Sequence, residues 1–327
     1  MLTAARFRTA RQPMATAGVG RVVLDVYGKE RGPGMRVHID TDFAGDTDDA
    51  CAVAMTLGWP EVEVLGITTT ADPHGQRAGY LCRFLELAGR LDIPVAAGAG
   101  RSLTTRRPMG DLPDHERYWA TAVAARPSPP GAAIDLLAHS IDMGAVIVAI
   151  GPYTNLALLQ QARPGRLDGV PVVAMGGWVE PPAEGLPAWG PEMDWNMQCD
   201  TSAALTVAEA ADLTLVTLPV TLHAHLIAAE LPRLAASGPL GDLLARQAKA
   251  HGEDYNMAQL GREHAALPDD LVNFHYDPGC LRRCHRVARG GCGAAAPATH
   301  ARRRSAAIRN RRGRTALNSV CNPNALT

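Results

Sequence analysis

The chain has 327 residues, 46% hydrophobic and 20% charged, which is ordinary for a globular protein and ample for a large core. No run of 18 or more apolar residues occurs, which excludes a helical membrane span. The formal charge of −1 conceals two opposite parts: residues 279–327 carry 11 Arg and no Lys, Asp or Glu, which leaves 21 basic and 33 acidic residues in 1–278. An acidic body argues against nucleic acid as a partner.

Only Cys51, Cys82 and Cys199 precede residue 279, too few and too scattered for a disulfide framework, so the body reads as cytoplasmic. Residues 1–34 hold Arg6, Arg8, Arg11 and Arg21 with few acids and no hydrophobic period, and read as a disordered extension, with Met35 as a candidate functional start. From there strands and helices alternate. Strands are predicted at 35–40, 62–68, 93–97, 145–150, 170–175 and 213–218. Helices are predicted at 48–58, 76–90, 132–143, 155–162, 202–211 and, as one or two pieces, 231–251. Two long loops, 101–130 and 176–193, interrupt the alternation. The pattern predicts an α/β fold, a mostly parallel central sheet with helices on both faces. Ligands in such sheets bind beyond the carboxyl ends of the strands.

The segment HIDTDFAGDTDDA (His38 to Ala50) holds five aspartates, Asp40, Asp42, Asp46, Asp48 and Asp49, at a strand end and helix start. One or two would cap a helix. Five repel one another, and a bound hard cation such as Ca²⁺ or Mg²⁺ relieves the repulsion. An EF-hand loop fails on spacing, because Cys51 stands where its bidentate Glu is required. An aspartate-based, Mg-dependent phosphatase accounts for Asp40 and Asp42 but not for the Asp48-Asp49 pair.

With PEVEVLGITTT (60–70), AIGPYTNLALL (149–159), VVAMGG (172–177), DWNMQCD (194–200), LPVTLHA (218–224) and HYDPG (275–279) following in order, the chain resembles the inosine–uridine-preferring nucleoside hydrolase family over about residues 35–279. The resemblance implies a Rossmann-like fold, one bound Ca²⁺, and hydrolysis of the N-glycosidic bond of a ribonucleoside by a Ca-bound water, in purine and pyrimidine salvage. It implies Asp42, Asp49, Asp277 and the main-chain carbonyl of Ile150 as metal ligands, and Asp42 also as general base. Asp48, Asp194, Asn196 and Tyr276 would meet the substrate. Self-association into dimers or tetramers is implied too. A metal-dependent nucleoside or ribose binder without turnover is the non-enzyme alternative.

Departures from the family pattern are local. Two extra residues separate Asp42 from Asp48-Asp49, the usual Asn after the second strand is missing and Asp72 is its candidate substitute, Asp194 replaces a Glu, and Tyr276 replaces a His with His275 one step earlier. Asn155 is read as ordering a turn and Asp200 as capping a helix, while Trp178, Trp189 and Trp195 are candidates for stacking on a base. After Pro278 the apolar period is expected to stop. Of three readings of 279–327, an Arg-rich nucleic-acid tail lacks Lys, and a zinc site from Cys280, Cys284, His285 and Cys292 fits no standard spacing. The third, a shifted reading frame in a GC-rich gene, accounts for 30 Arg against 2 Lys in the chain and is preferred.

Overall fold

The computed structural model describes residues 34–44 and 46–288. The expected extension up to residue 33 and the tail from 289 lie outside the described residues. Six strands form one sheet: β1 (Met35–Thr41), β2 (Val62–Thr69), β3 (Val95–Ala97), β4 (Val146–Ala149), β5 (Pro171–Met175) and β6 (Asp212–Val216). Their order is β3-β2-β1-β4-β5-β6, and every neighbouring pair is parallel. The helices are α1 (Thr47–Leu57), α2 (Gln76–Leu87), α3 (His115–Trp119), α4 (Ala132–Asp142), α5 (Thr154–Ala162), α6 (Trp195–Cys199), α7 (Thr201–Ala210), α8 (Leu218–Thr221), α9 (Leu231–Ala235), α10 (Pro239–Asp254), α11 (Met257–Glu263) and α12 (Tyr276–Ala288).

Side chains alternate across a strand, so each strand feeds two cores. Around β4, Val148 and Ile150 join Val37, Ile39, Phe43 and Phe84 on one face of the sheet. Ile147 and Ala149 join Leu137, Leu156 and Val172 on the other. Burial on both faces explains why the strands read as continuous apolar runs. The chain winds outward from β1 through β2 to β3, then returns to lay β4 on the free side of β1. This reversal opens a crevice between the carboxyl ends of β1 and β4, the place where ligands bind in doubly wound sheets.

Two features depart from the expected pattern. A small antiparallel pair, β7 (His225–Ile227) with β8 (Leu271–Phe274), lies apart from the main sheet. Strands this short leave little periodicity to read. The second departure is a correction. Ordered structure does not end at Pro278, because α12 continues to Ala288 and packs on α1 and β5. Cys280 and Cys284, one helical turn apart, are buried; the Cys280 thiol donates to the Val173 carbonyl (3.4 Å) and Cys284 Sγ lies 4.0 Å from Met35 Sδ. Buried thiols act as small hydrophobes, so the helix has an apolar stripe that a count of aliphatic residues misses. Burial pushes both thiols up, Cys284 to about 12, which disfavours the thiolates that a zinc site needs.

Buried His38 links the layers. Its Nδ1 meets Ser140 Oγ on α4 (2.8 Å) and its Nε2 meets Thr68 Oγ1 on β2 (3.0 Å), while that hydroxyl donates to Asp40 Oδ1. Thr68 spends its proton on Asp40, so His38 donates from Nε2 and accepts at Nδ1, as the neutral ring does. Burial lowers its pKa from 6.5 to about 3. A depressed pKa means that protonation favours the unfolded chain. The stability held by neutral His38 is therefore complete above pH 6.5 and is lost as the pH falls towards 3. Urea unfolding of wild type and His38→Gln at pH 7.5 and pH 5 is expected to show the variant's deficit shrinking at the lower pH; a deficit independent of pH would contradict this.

Candidate metal and active centre

The acidic loop is ordered from both ends. The Thr41 hydroxyl, at the end of β1, donates to Asp49 Oδ1 and accepts from the Phe43 amide (3.1 Å). Asp46 is the N-cap of α1, its carboxylate accepting from the Asp48 amide (3.4 Å). Asp48 and Asp49 fall in the first turn of α1 and Asp277 in the first turn of α12, where the helix dipole favours negative charge. Because α1 and α12 pack together, the two starts converge. One oxygen from each of Asp48, Asp49 and Asp277 lies within 4.8 Å of the others, and all three residues are buried.

Burial, then mutual repulsion, pushes Asp48, Asp49 and Asp277 well above the usual carboxylate range. Asp42 is also raised by burial, partly offset by the Arg77 charge and a hydrogen bond from Trp195. That bond runs from indole Nε1 to Asp42 Oδ2 at 3.1 Å. Main chain closes the other side: the Ile150 amide donates to the Asp40 carbonyl (2.8 Å), and a Cβ on Gly151 would meet Asp42 N at 2.6 Å and Oδ1 at 2.8 Å. Only glycine fits there. The resulting donor set, crowded buried carboxylates beside main chain at 150–151, fits a hard divalent cation. Sequence reasoning assigns Asp48 to substrate and Asp42 to metal. In the structure Asp48 stands within the trio and Asp42 beside it.

Asp194 is buried and caps α6, accepting from the Met197 amide (3.1 Å) and from the Gly177 amide. The Asn196 amide donates to the Met175 carbonyl (3.2 Å), which also accepts from the Tyr153 hydroxyl (2.9 Å). These bonds seat both residues against the end of β5. Tyr276 is half-buried and joins an aromatic row. Its ring lies 5.4 Å from Phe274, which meets Trp189 edge-on at 5.6 Å. Trp178 Nε1 donates to the Trp189 carbonyl (2.9 Å), and the two indoles line a cleft of about 320 Å³ formed by the loop after β5.

Other candidates take supporting positions. Asp72 accepts from the Arg77 and Ala78 amides in the first turn of α2 (3.1 and 2.9 Å) and from Thr69 Oγ1. Asn155 is fully buried and bridges Asp40 Oδ1 (2.7 Å), the Thr69 carbonyl (3.0 Å) and the Ala99 amide (2.8 Å). Asp200 caps α7 and also binds the Leu103 amide (2.7 Å) and Thr154 Oγ1 (2.7 Å). The extra loop length carries Asp46 to Asn273 Nδ2 (2.5 Å) on β8 and to His251 Nε2 (3.5 Å) on α10. Half-buried His275 is lowered to about 4 by desolvation, which keeps it neutral near pH 7. Arg77 was missed by sequence reasoning; its only signal is an arginine on the buried side of α2.

The fold and the site define an α/β enzyme with its acidic centre at a topological switch point. The family model described as "Inosine-uridine preferring nucleoside hydrolase" matches residues 37–320. The pyrimidine-specific ribonucleoside hydrolase RihA of Salmonella typhimurium is 33% identical over 223 residues, 64% of this chain and 70% of that one. Among solved structures, the plant nucleoside hydrolase PpNRh1 is 25% identical with a TM-score of 0.62 over 78% of this chain and 80% of its own. The purine-preferring ribonucleoside hydrolase from Gardnerella vaginalis, at 21% identity and a TM-score of 0.62 over 77% and 80%, shows the same fold. This chain belongs to the inosine-uridine preferring nucleoside hydrolase family and is a hydrolase of N-glycosyl compounds.

Because Trp195 is 52% exposed and bonded to Asp42, its emission should respond to occupation of the carboxylate cluster. Titrating the stripped protein with Ca²⁺ is expected to change tryptophan fluorescence in wild type and not in Trp195→Phe. An equal change in the variant would place the response elsewhere.

Proposed function

We propose that the chain hydrolyses ribonucleosides to free base and ribose with Ca²⁺ as its resident cation. The observation that carries this reading is the buried trio Asp48, Asp49 and Asp277 with Asp42 beside it, at the crevice between β1 and β4. Asp42, Asp49, Asp277 and the Ile150 carbonyl would hold the cation. When bound, it supplies Lewis-acid activation of a water and a grip on the ribose hydroxyls. Asp48, Asp194 and Asn196 orient the ribose by hydrogen bonding. Asp42 Oδ2 is engaged by Trp195, so Oδ1 is the atom that takes the proton from the attacking water.

The C1′–N bond breaks with its electron pair leaving on the base, and the water oxygen bonds to C1′. Positive charge developing on the sugar is stabilised by the surrounding carboxylates. Tyr276 and Trp189, both packed on the fully buried Phe274, offer aromatic faces to the departing base. The relatives' names give different base preferences, pyrimidine for RihA and purine for the Gardnerella enzyme, so this reading extends to both classes. It also includes a cytoplasmic salvage role, consistent with free Cys51, Cys82, Cys280 and Cys284, and a self-associated enzyme.

A panel of purine and pyrimidine ribonucleosides, assayed with and without chelator, tests this. Turnover that stops on chelation and returns with Ca²⁺ is expected, and Asp42→Asn should lower kcat by about 10³-fold, the scale of general-base loss. Folded protein that binds Ca²⁺ and nucleoside but turns over none of the panel would favour the binder.

A further inference from the structure

Arg77 lies in the first turn of α2 and is 3% exposed. A buried guanidinium is ordinarily matched by a carboxylate. Here each of its hydrogen bonds goes instead to a main-chain carbonyl. Nε donates to Ala71 (3.0 Å), Nη1 to Asp42 and to Phe43 (3.1 Å), and Nη2 to Asp111 (3.1 Å). The four carbonyls come from three separate stretches: the turn after β1, the turn after β2, and the long loop 101–114. A planar fork with five fixed donors can hold three stretches at once; an ammonium cannot.

Two of those stretches are strained. Ala44 (φ +87°) directly follows Phe43, and Ala71 has φ +52°, both in the left-handed region that an alanine disfavours. The Arg77 fork meets the carbonyls of Phe43 and Ala71, and so fastens both turns in those conformations. The same fork holds the carbonyl of Asp42, whose carboxylate borders the acidic trio.

We propose that Arg77 is a positioning residue for the cation site, fixing the main chain at Asp42 so that its carboxylate faces the trio. The inference rests on the calcium reading above. Two properties of this side chain oppose each other. Its positive charge repels a cation bound nearby, while its fork shapes the site that receives one. The fork dominates, because it sets the geometry of a ligand-bearing turn held in an unfavourable conformation.

Calorimetric titration of the stripped protein with Ca²⁺ separates the two. Arg77→Lys keeps the charge and loses the fork; Arg77→Gln loses both. Both are expected to bind Ca²⁺ at least about tenfold more weakly than wild type, the scale seen when a residue supporting a metal ligand is lost. Circular dichroism confirms folding, and Arg77→Lys carries the test if Arg77→Gln does not fold. Wild-type affinity in Arg77→Lys, or tighter binding by Arg77→Gln, overturns the inference and leaves the calcium reading intact. Absence of binding by wild type removes the calcium reading and this inference with it. In folded Arg77→Ala, millimolar guanidinium is expected to recover affinity; no recovery counts against the fork.

Discussion

Carboxylates cannot share a dry site as anions unless something offsets their charge, and the structure around the crevice is organised by that constraint. Asp42, Asp48, Asp49 and Asp277 are held together where desolvation and mutual repulsion both oppose ionisation. Two helix starts direct positive dipole ends at them, and Arg77 adds a fixed positive charge from behind. These partial compensations do not neutralise four acids. The remaining imbalance is what suits the site to the proposed divalent cation.

A layer of groups under the site carries no such imbalance. Asp40, one alternation back along β1, is fully buried and pushed up to about 7 by desolvation, so it is far less acidic than an ordinary carboxylate. Thr68 and Asn155 donate to it, and neutral His38 stands behind Thr68. Asn155 ties this layer to the ends of β2 and β3, which keeps the sheet edge from spreading under the charge above. The polar groups closest to the charged centre are thus joined by short hydrogen-bonded bridges rather than by ion pairs, which suits a dry interior.

The sheet was legible in the sequence because both its faces are covered, leaving apolar runs at each strand and small or polar residues at each turn. The aspartates were legible because five acids at a strand end have few other uses. Roles within the cluster were less so. Sequence cannot tell that Asp48 groups with Asp277 while Asp42 turns to Trp195, because these choices depend on rotamers and on a helix more than 200 residues away. Arg77 could not be recognised as a fork, since its partners are carbonyls, which every residue has. The helix after Pro278 was hidden because its buried stripe is made of cysteines, and β7 and β8 because three or four residues carry no readable period.

The long reach of Asp277 also has a bearing on how the protein is made. Asp42, Asp48 and Asp49 leave the ribosome early, and the residues that complete their site, with Asn273 clasping Asp46, come 227 or more positions later. Amino-terminal segments fold first during synthesis. Throughout elongation, then, the growing chain carries an acidic loop whose last wall has not yet been translated. The proposed cation can be captured only once α12 has emerged, and a ribosome that stops short of α12 releases a sheet without its centre.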